Sequence, residues 1–201
     1  MSLSATDWIA PPVRSPIADL LADLARAFDA LGISWYLFGA QAAIVYGVAR
    51  LTADVDVTAR VPPGTGAAWL DTIEAHGFQR RFLDAKFAEQ SRVIPITHLA
   101  TGLPVDIVLA GPGLEEQFLE RAVALSIDGV AVPVIEVSDL VILKVLAGRP
   151  KDLDDLATLL RIQRGRIDTA RVRDVLGALE AALGQSDLLR TFEAARAGRP
   201  K

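Results

Sequence analysis

Cysteine is absent from the 201-residue chain, so no disulfide stabilises it, and that absence alone leaves its compartment open. A chain of this length buries about 70% of the surface it exposes when unfolded and needs neither a disulfide nor a structural metal to fold. Also absent is any run approaching the roughly 20 uninterrupted apolar residues of a membrane-spanning helix. The mean hydropathy is positive at +0.33, but even the apolar segment Leu140 to Ala147 is interrupted by Lys144. The basic-then-apolar layout of a signal peptide is missing, because Asp7 and Trp8 lead straight into Pro11 and Pro12. The expectation is therefore a cytoplasmic protein without membrane contact. Basic charge is not in excess either: 21 Lys and Arg stand against 25 Asp and Glu, for a net charge of −4. That balance argues against broad binding to a phosphate backbone and leaves room only for a local basic strip. No internal repeat, low-complexity tract or glycine-serine linker occurs. What is present is 51% hydrophobic residues, which excludes disorder and describes one compact domain with a helical appendage.

From Pro16 to Leu31, Ile17, Leu20, Leu21, Leu24 and Phe28 recur at three- and four-residue spacing, predicting an amphipathic helix that Gly32 ends. Trp35 to Phe38 reads as a strand, Gly39 as a turn, and Ala40 to Tyr46 as an apolar helix. Asp54 to Thr58 alternates polar and apolar, so a strand there places Asp54, Asp56 and Thr58 on one face and Val55 and Val57 on the other. After Pro62-Pro63-Gly64 a helix is predicted from about Thr65 to Ala75. Arg92 to Thr97 and Pro104 to Leu109 read as a hairpin around Thr101-Gly102. Gly113 to Leu125 reads as a helix, Val130 to Val137 as a strand, and everything beyond Ser138 as helices. The composition shift at Ser138 divides the chain into an α/β part, residues 1–137, and a helical lobe, residues 138–201, packed directly on it. The stretch Ala194 to Lys201 is small and polar and is expected to fray.

The chemistry is concentrated in the acidic strand. Two aspartates at i and i+2 on a strand point the same way, with Cβ atoms roughly 6 to 7 Å apart for a rise of about 3.3 Å per residue. Both can reach one divalent ion or two adjacent ones, and Mg²⁺ prefers one or two protein carboxylates with water and phosphate oxygens completing its shell. Asp54 and Asp56 taken alone fit a solvated strand face with the valines inward, the commoner outcome for a bare Asp-x-Asp. Asp106 tips the balance, because it stands alone in the apolar strand Pro104 to Leu109, and a carboxylate buried there unpaired would be costly. Gly39 lies fifteen residues before Asp54, at a strand-to-helix turn whose unpaired N–H groups favour phosphate, although such turns recur without ligands.

Four segments together resemble the nucleotidyltransferase superfamily of polymerase-beta-like fold, and within it the minimal AbiEii-like branch often found in toxin–antitoxin loci. They are Leu37-Phe38-Gly39-Ala40-Gln41-Ala42-Ala43, Arg50-Leu51-Thr52-Ala53-Asp54-Val55-Asp56-Val57, Val105-Asp106-Ile107-Val108, and Ser138-Asp139-Leu140 through Lys144 to Leu156. The resemblance runs from about Gly32 to Leu160. It implies an α/β (α+β) architecture, a mixed sheet flanked by helices with a C-terminal helical lobe. It also implies transfer of a nucleoside monophosphate from an NTP to an acceptor hydroxyl on RNA, a protein or a small molecule. In that reading Asp54 and Asp56 hold Mg²⁺ or Mn²⁺, Asp106 completes the metal site and helps activate the acceptor, and Gly39, Ala40, Gln41 and Lys144 attend the nucleotide. One departure is Ala40, where the family usually has glycine or serine. The second reading is a non-catalytic nucleotide-fold module that binds a partner protein, as half of a toxin–antitoxin pair.

The remaining candidates carry structural alternatives. Lys144, on an otherwise apolar helix, must snorkel or meet a carboxylate or phosphate, and a place near the nucleotide or between the lobes is expected. Asp152 and Asp155 read as acids stabilising the start of the helix after Pro150, and Arg149 and Lys151 either pair with them or face a phosphate. His76 and His98 lack partners at metal-ligand spacing and read as structural. Trp8, Trp35 and Trp69 are too scattered to form a platform for stacked bases.

Overall fold

A computed structural model describes residues 14–62, 68–81, 92–184 and 186–198. The predicted helix start near Thr65, the fraying of residues 199–201 and Trp8 lie outside the described residues. Among those described, eight helices surround a seven-stranded mixed sheet of order β3-β4-β5-β2-β1-β7-β6. The strands are β1 Ser34–Phe38, β2 Val55–Arg60, β3 Phe78–Arg80, β4 Val93–His98, β5 Pro104–Leu109, β6 Val123–Ile127 and β7 Val130–Val134. The pairs β2/β5 and β1/β7 are parallel and the others antiparallel.

Helix α1, Pro16–Leu31, starts where Ser15 accepts from the Ala18 N–H with Pro16 in the first turn, and stops at Gly32, whose φ of +62° suits a residue without Cβ. It buries Leu20, Leu21, Leu24 and Phe28 against one face of the sheet, where Phe28 meets Trp35 at a ring-centroid distance of 5.4 Å. Helix α3, Ala68–Ala75, lies beside α1. On the opposite face Tyr36 packs edge-on against Phe118 of α4, Leu114–Arg121. The strand-turn-helix unit is completed by α2, Gly39–Val45. The C-terminal helices are α5 Val137–Ala147, α6 Pro150–Ile162, α7 Thr169–Leu183 and α8 Leu188–Arg196. Helix α5 is mostly apolar and packs against α6, α7, α8 and α2, with Asp139 and Lys144 as its buried charged residues. Tyr46 is bonded at both ends: its hydroxyl donates to the Ile135 carbonyl at 2.8 Å, and its own carbonyl accepts from Gln163 Nε2, just past the end of α6, at 2.7 Å. No helix among the described residues is long and apolar enough to cross a membrane.

Three sequence readings need correction. The helix predicted to reach Leu125 ends at Arg121, and residues 123–127 form β6, paired with β7. The signal was Asp128-Gly129, both at positive φ, +46° and +81°, a two-residue hairpin turn between short apolar runs that helix periodicity alone cannot classify. The strand predicted to run to Val137 stops at Val134, and Glu136 caps α5 by accepting from the Ser138 N–H. The acidic strand begins at Val55, so Asp54 belongs to the incoming loop, where its N–H donates to Thr52 Oγ1, and is not on the alternating face.

Candidate active site

The register of the sheet assembles the site. Phe38 on β1 is opposite Asp56 on β2, Asp56 is opposite Asp106 on β5, and Asp106 is opposite Pro95 on β4. Neighbouring strands are about 4.8 Å apart, so Asp56 and Asp106 point from adjacent backbone positions into the same space. That space is a cleft of about 820 Å³, lined on the sheet side by Phe38, Gly39, Ala40, Asp54, Asp56 and Asp106. Loop residues 50–53 also line it, and the far wall is Leu140, Leu143, Lys144, Leu146, Ala147, Arg149, Lys151 and Asp152.

Gly39 makes the close approach possible. Its φ is +68°, and a Cβ built on it would lie 2.1 Å from Asp56 Oδ2, so the carboxylate sits directly over the bare Cα. Burial pushes the Asp56 carboxyl above the ordinary range, Asp106 and then Asp54 push it further, and Lys144 and Arg149 pull weakly the other way. Ala40 also lines the cleft. Gln41, expected beside the nucleotide, does not: it is buried on α2 and is not among the lining residues.

The far wall is a chain of ion pairs. Arg149 Nε bonds Asp152 Oδ2 at 2.5 Å, and Lys144 Nζ bonds Asp152 Oδ1 at 3.0 Å and Asp155 Oδ2 at 2.7 Å. Arg50 Nη1 bonds the same Asp155 oxygen at 2.6 Å. Lys144 therefore meets carboxylates and does not snorkel. Asp152 and Asp155, read from sequence as acids serving the helix start, are buried counter-ions at 2% and 4% exposure. Arg50, Lys144 and Arg149 outnumber Asp152 and Asp155 in this chain of ion pairs, and Lys151 lines the cleft beside them, so a surplus of positive charge faces the three aspartates. The structural reading of the histidines also has a physical basis: His98 is fully buried between Asp23 and Thr101, at 2.9 Å from each, and His76 Nδ1 lies 2.8 Å from the Thr72 carbonyl.

Two residues of the site were missed by sequence reasoning. Arg50 ties the loop after α2 to α6. Arg81, just beyond β3, places Nη2 at 2.5 Å from Asp106 Oδ1. No spacing in the sequence signals either contact, since 105 and 25 residues separate the partners. Asp106 thus meets a guanidinium, and among the described residues no group of three or more His, Cys, Asp or Glu side chains is arranged to hold a cation.

The family described as nucleotidyltransferase of unknown function, DUF6036, matches residues 22–184. The chain belongs to this family. Its fold is similar to that of the antibiotic-resistance factor ANT(2'')-Ia, with a TM-score of 0.55 at 14% identity over 86% of this chain and 99% of that one. It is also similar to an antigenic nucleotidyltransferase-like protein from Paracoccidioides brasiliensis, with a TM-score of 0.55 at 17% identity over 92% of this chain and 95% of that one. The structure of ANT(2'')-Ia in complex with adenylyl-2''-tobramycin gives a TM-score of 0.50 at 15% identity over 80% and 98%. At these identities the likeness is one of fold. No curated protein matches the sequence. Family and fold agree on a nucleotidyltransferase enzyme built on a mixed sheet. The acidic donors lining the cleft of this nucleotidyltransferase are carboxylate oxygens, the ligand type of a hard divalent cation, and the charge on Asp56, raised in energy first by burial and then by Asp106 and Asp54, is one that a cation would neutralise.

Proposed function

We propose that the protein moves a nucleoside monophosphate from an NTP to an acceptor hydroxyl, with pyrophosphate leaving, in the cleft between the sheet and α5. The observation that carries this reading is the shared register of Asp56 and Asp106 beside Gly39, opposite a wall with surplus positive charge. Asp54 and Asp56 hold Mg²⁺ or Mn²⁺, which when bound neutralises charge on the triphosphate and on the entering and leaving oxygens. Gly39 and Ala40 bring backbone without bulky side chains to the phosphates. Asp106, half-exposed at the open side, orients the acceptor hydroxyl and takes its proton as the new phosphoester forms. Arg149 and Lys151 face the triphosphate, and Lys144 acts through the ion-pair chain that positions Arg149. Residues 138–201 are in this reading the lobe that carries the cationic wall.

The test is to incubate the pure protein with each α-labelled NTP, Mg²⁺ and cell extract and to find which species carries label. One NTP is expected to label one class of acceptor, which identifies it as RNA, protein or small molecule. No labelled species with any of the four would leave the non-catalytic module. In that case the ligand of the module is a partner protein, to be sought by its binding to the pure chain.

A further inference from the structure

We propose that Arg81 is a competing counter-ion for Asp106, so that a divalent cation enters this site on Asp54 and Asp56 alone and gains Asp106 only when Arg81 lets go. The inference rests on the metal-nucleotide reading above and adds to it a residue that reading does not contain.

The contact follows from the lateral row of the sheet. The Arg81 N–H donates to the Pro95 carbonyl at 2.9 Å, extending the β3/β4 ladder by one residue. Arg81 is thereby placed beyond Pro95 in the row that already contains Asp106 and Asp56. The residue between them presents only a short ring, so a long side chain can pass over it and reach the carboxylate two strands away. The guanidinium is held there independently of the charge it meets: Nε donates to the Ile96 carbonyl at 3.0 Å, and Nη2 to the Val105 carbonyl at 3.4 Å as well as to Asp106 Oδ1 at 2.5 Å. Such an anchor keeps the arginine next to Asp106 when the ion pair opens.

Among the described residues, Arg81 is the one cation in ion-pair contact with any of the three cleft aspartates. Arg50, Lys144 and Arg149 are committed to Asp152 and Asp155. The Arg81 and Asp106 side chains are 39% and 42% exposed, so exchange of one cation for another at Oδ1 is not prevented by burial. An ion pair of that exposure is weak enough to be displaced and strong enough to be measured: its loss should shift cation affinity by up to about fivefold.

The experiment is Mn²⁺ binding to the full chain without nucleotide, followed by the electron paramagnetic resonance of free Mn²⁺. Arg81→Gln is expected to tighten binding by about two- to fivefold, Arg81→Lys to stay within twofold of wild type, and Asp106→Asn alone to leave affinity nearly unchanged. In the Arg81→Gln/Asp106→Asn double variant the tightening should vanish, because the released carboxylate is gone. Unchanged or weaker binding in Arg81→Gln overturns the proposal, as does tightening that persists in the double variant, which would reflect the removed charge acting at a distance. A large loss in Asp106→Asn alone also overturns it, since Asp106 would then hold the cation already. Asp56→Asn separates the two levels of inference. If it abolishes binding while Arg81→Gln changes nothing, only the role of Arg81 falls; if wild type binds no Mn²⁺ at all, the metal-nucleotide reading falls with it.

Discussion

Gly39 and Asp56 constrain each other at a distance that leaves no room for a methyl group, so backbone conformation and chemistry meet in one pair of residues. Gly39→Ala would place a left-handed backbone angle on a residue with a Cβ, at about 1–2 kcal/mol, and would drive that Cβ into the Asp56 carboxylate, 2.1 Å away in the present geometry. Urea unfolding should register a loss of at least that size, and NTP with Mg²⁺ should no longer raise the melting temperature. A variant that keeps its ligand-induced stabilisation would remove Gly39 and Asp56 from the site. The glycine and Asp56 were legible in the sequence, because a strand-Gly-helix turn and strand alternation are local patterns. The contact between Gly39 and Asp56 was not, since seventeen residues separate them and only the antiparallel pairing of β1 with β2 brings Phe38 opposite Asp56.

Between elements, the ion-pair chain decides how α5, α6 and the loop carrying Arg50 sit against one another. A lysine at 4% exposure between two aspartates is costly to desolvate and is kept by the geometry of its partners. Lys144→Met would leave Asp152 and Asp155 buried with one arginine each, and the expected destabilisation is about 3 kcal/mol, the low end for a broken buried pair. Chemical denaturation measures it directly. A lysine whose role was only to touch the nucleotide would instead lose ligand affinity with stability unchanged. Burial pushes the Asp152 carboxyl up, but hydrogen bonds from Arg149 and Lys144 outweigh it and hold the group below its ordinary range. The sequence showed that Lys144 needed a partner and showed two acids in the following helix. Which acid, and with which second arginine, depended on the α5/α6 packing.

At the scale of the whole molecule, two buried tyrosines report the integrity of the fold at high pH. Burial pushes both Tyr36 and Tyr46 up from about 10 to about 12. The unfolded chain releases these protons first, so the stabilisation is complete below pH 10 and is lost as pH rises from about 10 to 12. Each group contributes a slope of about 1.4 kcal/mol per pH unit in that window. The urea midpoint should therefore fall steeply above pH 10. Tyr46→Phe should start lower by about 1 kcal/mol, because the Ile135 carbonyl loses its donor, and should then fall at roughly half the slope. An unchanged slope would mean that the Tyr46 hydroxyl is not the buried group that titrates in this window.

Composition and periodicity by themselves determined a mixed α/β chain with a helical C-terminal part, the start and stop of α1, the β5 strand, and the Gly39, Asp56 and Asp106 candidates. These rest on interactions within one turn or one strand: the 3.6 and 2.0 residue periods, the capping of Ser15 and the freedom of glycine at positive φ. Tertiary structure alone decided that Asp56 and Asp106, fifty residues apart, stand in register on parallel strands, and that Asp54 lies off the strand. It also turned Asp106 toward Arg81, gave Lys144 to Asp152 and Asp155, and made β6 an edge strand where a helix was expected. Each of these depends on which strand pairs with which and how two helices cross. Those choices are fixed by the summed burial and ladder hydrogen bonds of the assembled sheet, which no short stretch of sequence carries.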